Sequence, residues 1–453
     1  MVESKEQELW QACTDGDLET VKKWASDPAV DVNWGDPEHG RTPFYRACGH
    51  GRGDVVEYLM GNQPVDVVRP ALRGGFPFFI ACQEGRKEVV SLLLADPRID
   101  PNKADDEGFT PFFMACQRGH KEVVSLLLAD PRIDPSKPNN TGVTPFYIAC
   151  QNGHKEVVSL LLADPRVSPN KPQNDGVTPF YIASEKGRRD VISILLADPR
   201  IDPNKPQNEE ATPFYMACQN GHKEVVSLLL ADSRIDPNRP RDNGVTSIFM
   251  ACQRGNKEMV TLLLADPRID SNQPTNDLST PLWVASQEGH LVIVQHLLAS
   301  ERDTDTRMRC THNHRTAAEH ARVTGARTTK DADETEEAYE RSKTNGPLCA
   351  DLIDEYEHDP VAVRHRLRRQ PGLTEHFIGH LFALVVFHSD SFLVINERLA
   401  HPDTRRFFRI CARLPLEVQM IICNRVFGSP KDLILSRDSE PGFKYLARTT
   451  TWR

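Results

Sequence analysis

The chain has 453 residues, 26% of them charged and 39% hydrophobic, a balance that excludes wholesale disorder and predicts more than one independently folding region. Its formal net charge of −9 argues against a general nucleic-acid binder, because neutralising phosphates requires surplus Lys and Arg. The N-terminus, MVESKEQELW, is charged where a signal peptide is apolar, and His380, His388 and Asp390 interrupt the most apolar stretch, 377–395. We therefore expect a cytoplasmic protein that does not bind membranes, with the nucleus as the alternative location.

A unit of 34 residues recurs along most of the chain, marked by the Thr that opens a Thr-Pro-aromatic step or its variant. This Thr lies at positions 110, 144, 178, 212, 246 and 280. One unit, residues 142–175, reads GVTPFYIACQNGHKEVVSLLLADPRVSPNKPQND. A fixed period of this length predicts short helical units that stack on their neighbours to form one continuous core.

Each unit carries the signals of two helices. Thr144 can cap the first helix, Pro145 suits its first position, and Gly153 suits the left-handed residue that ends it. The apolar run 157–162 predicts a second helix between neighbouring units, and the Pro at position 165 ends it. The following Pro- and Asn-rich segment predicts a loop that leads to the next unit.

The unit resembles the ankyrin repeat, whose T-P-L-H-x-A hallmark is present as TPFYIA, followed by a Gly-His step and a V-V-x-L-L-L pattern. The resemblance implies an all-α fold: an ankyrin-repeat solenoid of helix-turn-helix units, followed by a small C-terminal helical domain. We predict a solenoid at 1–325, with eight full repeats and atypical capping units at both ends, a charged linker at 326–346 and the C-terminal domain at 347–453. The implied function is that of a monomeric scaffold or adaptor that binds a protein partner of unknown identity.

Two variable positions in the repeat predict where such a partner binds. Ankyrin proteins generally bind partners on the concave side, which is made of loop tips and inner helices. The residue before the helix-ending Gly changes from unit to unit: Glu84, Arg118, Asn152, Lys186, Asn220, Arg254 and Glu288. The tip residue also changes: Glu107, Thr141, Asp175, Glu209, Asn243 and Asp277. Charge reversal along a stripe is what partner recognition needs, and free drift of exposed positions is the alternative.

Three other repeat positions are predicted to be structural. The aromatic ladder is expected in the core, with a partner-facing strip as the alternative: Tyr45, Phe79, Phe113, Tyr147, Tyr181, Tyr215, Phe249 and Trp283. Six cysteines share one repeat position: Cys48, Cys82, Cys116, Cys150, Cys218 and Cys252. Cysteines in neighbouring repeats would lie too far apart to form disulfides, and a chain with so many free thiols indicates a reducing compartment. The His after the helix-ending Gly is replaced by Arg or Asn elsewhere, so no chemistry is assigned to it.

Neither metal binding nor catalysis is predicted. Cys310, His312 and His314 cluster in CTHNH, and His376 and His380 are four residues apart. Neither group has a second ligand pair at zinc-finger spacing or matches H-E-x-x-H, so a loop and a partly exposed helix face explain them better. Phosphate-binding loops, nucleophile elbows and kinase signatures are absent from the sequence, so we expect neither an enzyme nor a cofactor.

The segment 407–428, FFRICARLPLEVQMIICNRVFG, supports an alternative function. It resembles an F-box core, which has a Leu-Pro-x-Glu step followed by aliphatic pairs. The matching residues are Leu414, Pro415, Glu417, Val418, Ile421 and Ile422. The resemblance would imply that this segment recruits a Skp-type adaptor, which would make the chain a substrate receptor of a cullin-type ubiquitin ligase.

Overall fold

The computed structural model describes residues 4–61, 65–72, 74–208, 210–300, 303–368 and 370. Within these residues all regular structure is helical, and twenty-one helices follow one another along the chain. The chain forms two compact units, residues 1–213 and 214–453. The predicted all-α repeat fold is confirmed.

The helices of the first unit come in consecutive pairs. These are α1 (Lys5–Asp15) with α2 (Leu18–Ala25), α3 (Pro43–His50) with α4 (Gly53–Gly61), α5 (Pro77–Gln83) with α6 (Lys87–Leu94), α7 (Pro111–Arg118) with α8 (Lys121–Leu128), α9 (Pro145–Asn152) with α10 (Lys155–Ala163), and α11 (Pro179–Glu185) with α12 (Arg189–Ala197). First helices contact first helices of adjacent pairs, and second helices contact second helices, so the pairs stack in register.

The second unit continues this pattern and then departs from it. Its pairs are α13 (Pro213–Gln219) with α14 (Lys223–Ala231), α15 (Ser247–Gln253) with α16 (Lys257–Leu264), and α17 (Pro281–Gln287) with α18 (Leu291–Ala299). Three helices follow: α19 (Ala317–Gly325), α20 (Glu336–His358) and α21 (Pro360–Leu367). Helix α19 begins after a capping Thr at position 316 and contacts α17, as the first helix of a repeat does, whereas α20 and α21 lack the repeat signature. Helix α20 contacts α17, α18, α19 and α21. Helix α20 also continues across positions 346 and 347, where we predicted that the charged linker ends and the C-terminal domain begins. The division of the chain into solenoid, linker and C-terminal domain stays a prediction.

Local chemistry explains why the first helix of each pair is short. In α9 the Thr144 side chain accepts the backbone N–H of Tyr147 at 3.1 Å, and Pro145 occupies the first turn. Gly153 ends the helix with a φ of 85°, a conformation in which a residue with a side chain would be strained. The cap, the first position and the end of the helix are therefore as predicted.

The second helix of each pair contributes the centre of the core. In α10, Val157, Val158 and Leu161 are at most 1% exposed, while Leu160 and Leu162 are half-buried. One face of the helix is therefore fully buried, and the second helices of both neighbouring pairs, α8 and α12, contact it, as expected for a helix between neighbours. The backbone becomes extended at position 164, just before the Pro, which ends the helix.

An Asp-Pro-Arg step that follows the second helix ties several repeats to the one before them. The Arg166 guanidinium pairs with Asp164 at 2.6 Å and donates to the carbonyl oxygens of Leu128 at 2.9 Å and Ile133 at 3.1 Å. Leu128 is the last residue of α8, so the Arg satisfies a carbonyl that the helix end leaves without an intrahelical partner. The same bond recurs from Arg132 to Leu94 and from Arg200 to Leu162, at 2.6 and 2.7 Å.

Asn side chains connect successive loops in the same periodic way. The Asn102 amide nitrogen donates to the Arg132 carbonyl at 2.6 Å, and its oxygen accepts the Asp134 N–H at 2.9 Å. Asn238 forms the equivalent pair of bonds with Arg268 and Asp270 in the second unit. Loops that lack regular structure are thereby held at fixed positions relative to their neighbours.

Candidate functional site

The predicted helix-end residues lie at the C-terminal end of the first helix in each pair. Exposed among them are Glu84, Arg118, Lys186, Asn220 and Arg254. Asn152 is half-buried, and its amide nitrogen donates to the carbonyl oxygen of Gln117 at 2.9 Å. Most of these side chains are therefore accessible from solvent, and Asn152 is held against the preceding repeat.

Glu288 has a different environment from the other helix-end residues. It is half-buried, and its backbone carbonyl accepts a hydrogen bond from Arg341 Nε of α20 at 2.9 Å. Burial raises the pKa of the Glu288 carboxyl, although the positive charge of Arg341 opposes the shift. In this structure a helix of the same chain covers the position.

The predicted tip residues lie in tight turns between the pairs. Glu107, Thr141, Asp175 and Asn243 are exposed, and Glu209 lies outside the described residues. Asp277 is half-buried, and its carboxylate lies 3.3 Å from His312 Nδ1 and 3.8 Å from Cys310 Sγ. Asp277 is thus the one tip among the described residues that the structure brings beside both a His and a Cys.

The aromatic ladder lies in the core. Its members are between 1% and 9% exposed, and Trp283 stacks on His320 with ring centroids 4.5 Å apart. The alternative of a partner-facing aromatic strip is therefore wrong. The variable positions next to these helices carry polar or charged residues.

The residue after the helix-ending Gly has a function that sequence reasoning missed. His120 Nε2 donates to the Gln83 carbonyl at 2.7 Å, and Arg188 Nε donates to the Gln151 carbonyl at 2.8 Å. We call this the inter-repeat donor position. His and Arg interchange there because either can present an N–H to the helix end of the preceding repeat. The sequence signal was the shared hydrogen-bonding capacity of the residues at that position.

The repeat cysteines are buried thiols. Among the described residues every Cys is buried and unbridged. Burial raises the pKa of the Cys82, Cys116 and Cys150 thiols well above the usual value, which keeps them protonated and unreactive. The cysteines at this repeat position are part of the core.

Two further predictions fall on the C-terminal segment. The F-box-like residues 414, 415, 417, 418, 421 and 422, and the histidines at 376 and 380, lie outside the described residues.

None of the described helices is both long enough and apolar enough to span a bilayer.

Comparison with known proteins assigns the repeats. A family model described as ankyrin repeats, three copies, matches residues 9–105, 54–139, 78–171, 113–207, 164–241 and 214–310. Among solved structures, the chain is similar to the ankyrin repeat domain of Bcl-3, described as a unique member of the IkappaB protein family. That match has 22% identity and a TM-score of 0.44, and covers 52% of this chain and 100% of the other. Ankyrin repeats support a role in protein–protein interaction, and the extent of the family match shows that this chain belongs to the ankyrin-repeat family.

Proposed function

We propose that the chain is a non-enzymatic cytoplasmic scaffold that binds a protein partner through its exposed helix-end and tip residues. The observation that carries the proposal is a contrast within the repeat. The stacking positions are nearly constant and buried, whereas the helix-end position is mostly exposed and changes its charge between units. Groups that differ from unit to unit on an otherwise constant surface can distinguish one partner from another.

In the first unit the exposed charges of the proposed surface are mixed in sign. Arg118 and Lys186 are cationic helix ends, and Glu84, Glu107 and Asp175 are acidic. A surface of this kind favours a partner segment that carries both signs of charge, and disfavours a uniformly anionic ligand such as nucleic acid. The partner is expected to approach the concave face that ankyrin-repeat proteins generally use.

The test is affinity capture with the purified full-length chain and a charge-reversed variant, Arg118→Glu with Lys186→Glu. We expect proteins captured by the wild type to be lost, because both side chains are exposed at helix ends. The matched control, Lys121→Glu with Arg189→Glu, makes the same charge change in the same repeats on exposed residues of α8 and α12. Equal losses in both variants would show that net charge, and not this surface, determines capture.

The alternative function, a cullin-type ubiquitin-ligase receptor, depends on the sequence of residues 407–428 alone. An F-box places aliphatic anchors in a groove of its adaptor, so binding energy concentrates in a few side chains. The full-length chain and its Leu414→Ala/Pro415→Ala variant should be compared for capture of a Skp-type adaptor. A wild-type chain that captures neither Skp adaptor nor cullin would remove this alternative.

A further inference from the structure

The last turn of the repeat array differs from most of the turns before it. In a regular turn the opening residue donates its N–H to the carbonyl four positions later, as Thr275 does to Ser279 at 3.0 Å. Cys310 opens the last turn and donates to Arg315, five positions later, at 3.2 Å. The opening position in the turns with the four-position bond holds Ala71, Asp105, Asn139, Gln173, Gln207, Arg241 and Thr275. The last turn is therefore one residue longer than these turns and introduces a Cys at its start. The first turn of the array, in which the Asp36 N–H donates to the Arg41 carbonyl at 3.1 Å, has the same longer span without a Cys.

Hydrogen bonds hold this longer turn against Asp277. The Thr311 N–H and hydroxyl both donate to the Asp277 carbonyl, at 2.8 and 3.1 Å. One oxygen of the Asp277 carboxylate then lies 3.8 Å from Cys310 Sγ and 3.3 Å from His312 Nδ1. The three potential ligand atoms all lie within 4.8 Å of one another.

We propose that Asp277, Cys310 and His312 form a binding site for a transition-metal ion, specifically Zn²⁺. A tetrahedral zinc ion has bonds of about 2.3 Å to sulfur and about 2.0–2.2 Å to nitrogen and oxygen, which place ligand atoms about 3.4–3.6 Å apart. The observed nitrogen–oxygen and sulfur–oxygen separations of 3.3 and 3.8 Å are close to those values. A donor set of thiolate, imidazole and carboxylate favours zinc over magnesium or calcium.

The surroundings of the three side chains suit an ion that arrives from solvent. Cys310 is 1% exposed, whereas the side chains of His312 and Asp277 are 76% and 35% exposed. The ion would contact a buried sulfur on one side and accept a water molecule as its fourth ligand on the other. Zinc would bind the Cys310 sulfur as a thiolate.

A second layer of hydrogen bonds orients the carboxylate. Thr275 Oγ1 donates to Asp277 Oδ1, and Ser279 Oγ lies 3.2 Å from Asp277 Oδ2 and 3.3 Å from Cys310 Sγ. Burial acts to raise the pKa of Asp277, but the bonds from Thr275 and Ser279 outweigh it and lower the pKa. The carboxylate is thus ionised and fixed in direction, as metal ligands usually are.

The same contacts could instead form a metal-free ion pair between Asp277 and protonated His312, and the experiment must separate these outcomes. The full-length chain is purified under reducing conditions, stripped with a chelator, and titrated with Co²⁺ and then with Zn²⁺ as competitor. We expect thiolate-to-cobalt charge-transfer absorption, with the d–d bands of a tetrahedral ion, and its loss when zinc displaces cobalt.

Variants assign the signal to the site. Cys310→Ser should abolish the charge-transfer band. His312→Gln and Asp277→Asn should each weaken zinc affinity more than 100-fold, because substituting a residue that only hydrogen-bonds to a metal ligand typically costs about 10–100-fold. The matched control is His314→Asn, because His314 lies in the same turn outside the cluster and has a φ of 56° that Asn tolerates. This variant should bind zinc like the wild type.

Two outcomes would overturn the proposal. The first is the absence of a cobalt–thiolate band in the wild type, which would leave the Asp277–His312 ion pair as the explanation. The second is a band that persists in Cys310→Ser, or zinc affinity that is unchanged in His312→Gln. Because the His312 side chain is 76% exposed, its substitution should leave the stability of the fold nearly unchanged, so a loss of zinc affinity would report on the site itself.

Discussion

The interior repeats of the first unit and the last helices of the second unit differ in what donates hydrogen bonds to the C-terminal carbonyls of their short helices. Every short helix leaves carbonyl groups at its C-terminal end that need donors. In the interior, the next repeat supplies them with residues at a constant sequence distance, such as His154 Nε2 to the Gln117 carbonyl at 2.9 Å. Each repeat is therefore completed by a copy of itself.

After the last full repeat, α20 supplies the donors to the C-terminal end of α17. Arg341 Nε donates to the Glu288 carbonyl at 2.9 Å, and the Asn345 amide donates to the Gly289 carbonyl at 2.9 Å. Arg341 thus supplies a donor to the same helix end from a helix without the repeat signature. It reaches the carbonyl one residue before the helix-ending Gly, whereas the inter-repeat donors reach the carbonyl two residues before it. The requirement for a donor persists where the sequence pattern that normally supplies it has ended.

This comparison predicts where large side chains are indispensable. Leu161 is fully buried in α10, so Leu161→Ala should lower the free energy of unfolding by about 2–5 kcal/mol, as for buried Leu generally. Denaturant unfolding measures the change. The control, Lys186→Ala, removes an exposed side chain and should cost less than about 0.5 kcal/mol. Equal losses would mean that the buried and exposed helix faces are misassigned.

The two kinds of donor can be compared directly. Arg166→Ala removes donors to two carbonyls in the first unit, and Arg341→Ala removes one donor in the second. We expect each to cost about 1–2 kcal/mol, because charged donors to backbone carbonyls are stronger than neutral ones. Hydrogen exchange should show faster opening near α8 for the first variant and in α20 for the second.

A suitable control for both variants is Arg189→Ala, which removes an exposed Arg of α12 and should change the unfolding free energy by less than about 0.5 kcal/mol. If Arg341→Ala leaves hydrogen exchange in α20 unchanged, α20 does not depend on this donor. The proposed equivalence between the two regions would then fail.

The end of the array should also respond to acid. His320 is stacked on Trp283, and the Asn313 amide nitrogen donates to its Nδ1 at 3.1 Å, a bond that requires this nitrogen to be unprotonated. Burial lowers the His320 pKa to about 4, helped by the charges of Arg315 and Arg327.

The sign of the effect follows from the lowered pKa. Between pH 6.5, the ordinary His value, and about 4, the unfolded chain binds a proton that the folded chain does not. Stability should therefore fall as pH decreases through this window. Thermal unfolding of the wild type and of His320→Gln measures the effect, and the variant should show a shallower decline. Parallel curves would remove His320 as the cause.

The sequence was sufficient to predict the local signals that start and end the helices of each repeat. Thr144, Pro145 and Gly153 identified the first helix, since caps and breakers act within a few residues. The bond from Arg166 to Leu128 spans 38 positions and that from Arg341 to Glu288 spans 53, and no local signal encodes either. The contact of Asp277 with His312 likewise depends on the longer turn from Cys310 to Arg315. The backbone path of that turn brings His312 to Asp277, and the amino-acid composition of the turn does not reveal this path.

The smallest predicted effect concerns Cys150, which is as completely buried as Leu161. At the same repeat position in α11, the Ser184 hydroxyl donates to the Phe180 carbonyl one helical turn earlier, at 2.9 Å. A Ser at position 150 has the Phe146 carbonyl available in the same way, so its hydroxyl would be buried with a partner.

Cys150→Ser should therefore lower the free energy of unfolding by less than about 1 kcal/mol, well below the effect of Leu161→Ala. Because the described cysteines are unbridged, a reducing agent should leave the melting temperature of the wild type unchanged. A decrease in the free energy of unfolding of more than about 2 kcal/mol would indicate that the new hydroxyl is buried without a hydrogen-bond partner. The Cys and Ser found at this position would then not be interchangeable, and each would be specific to its own repeat.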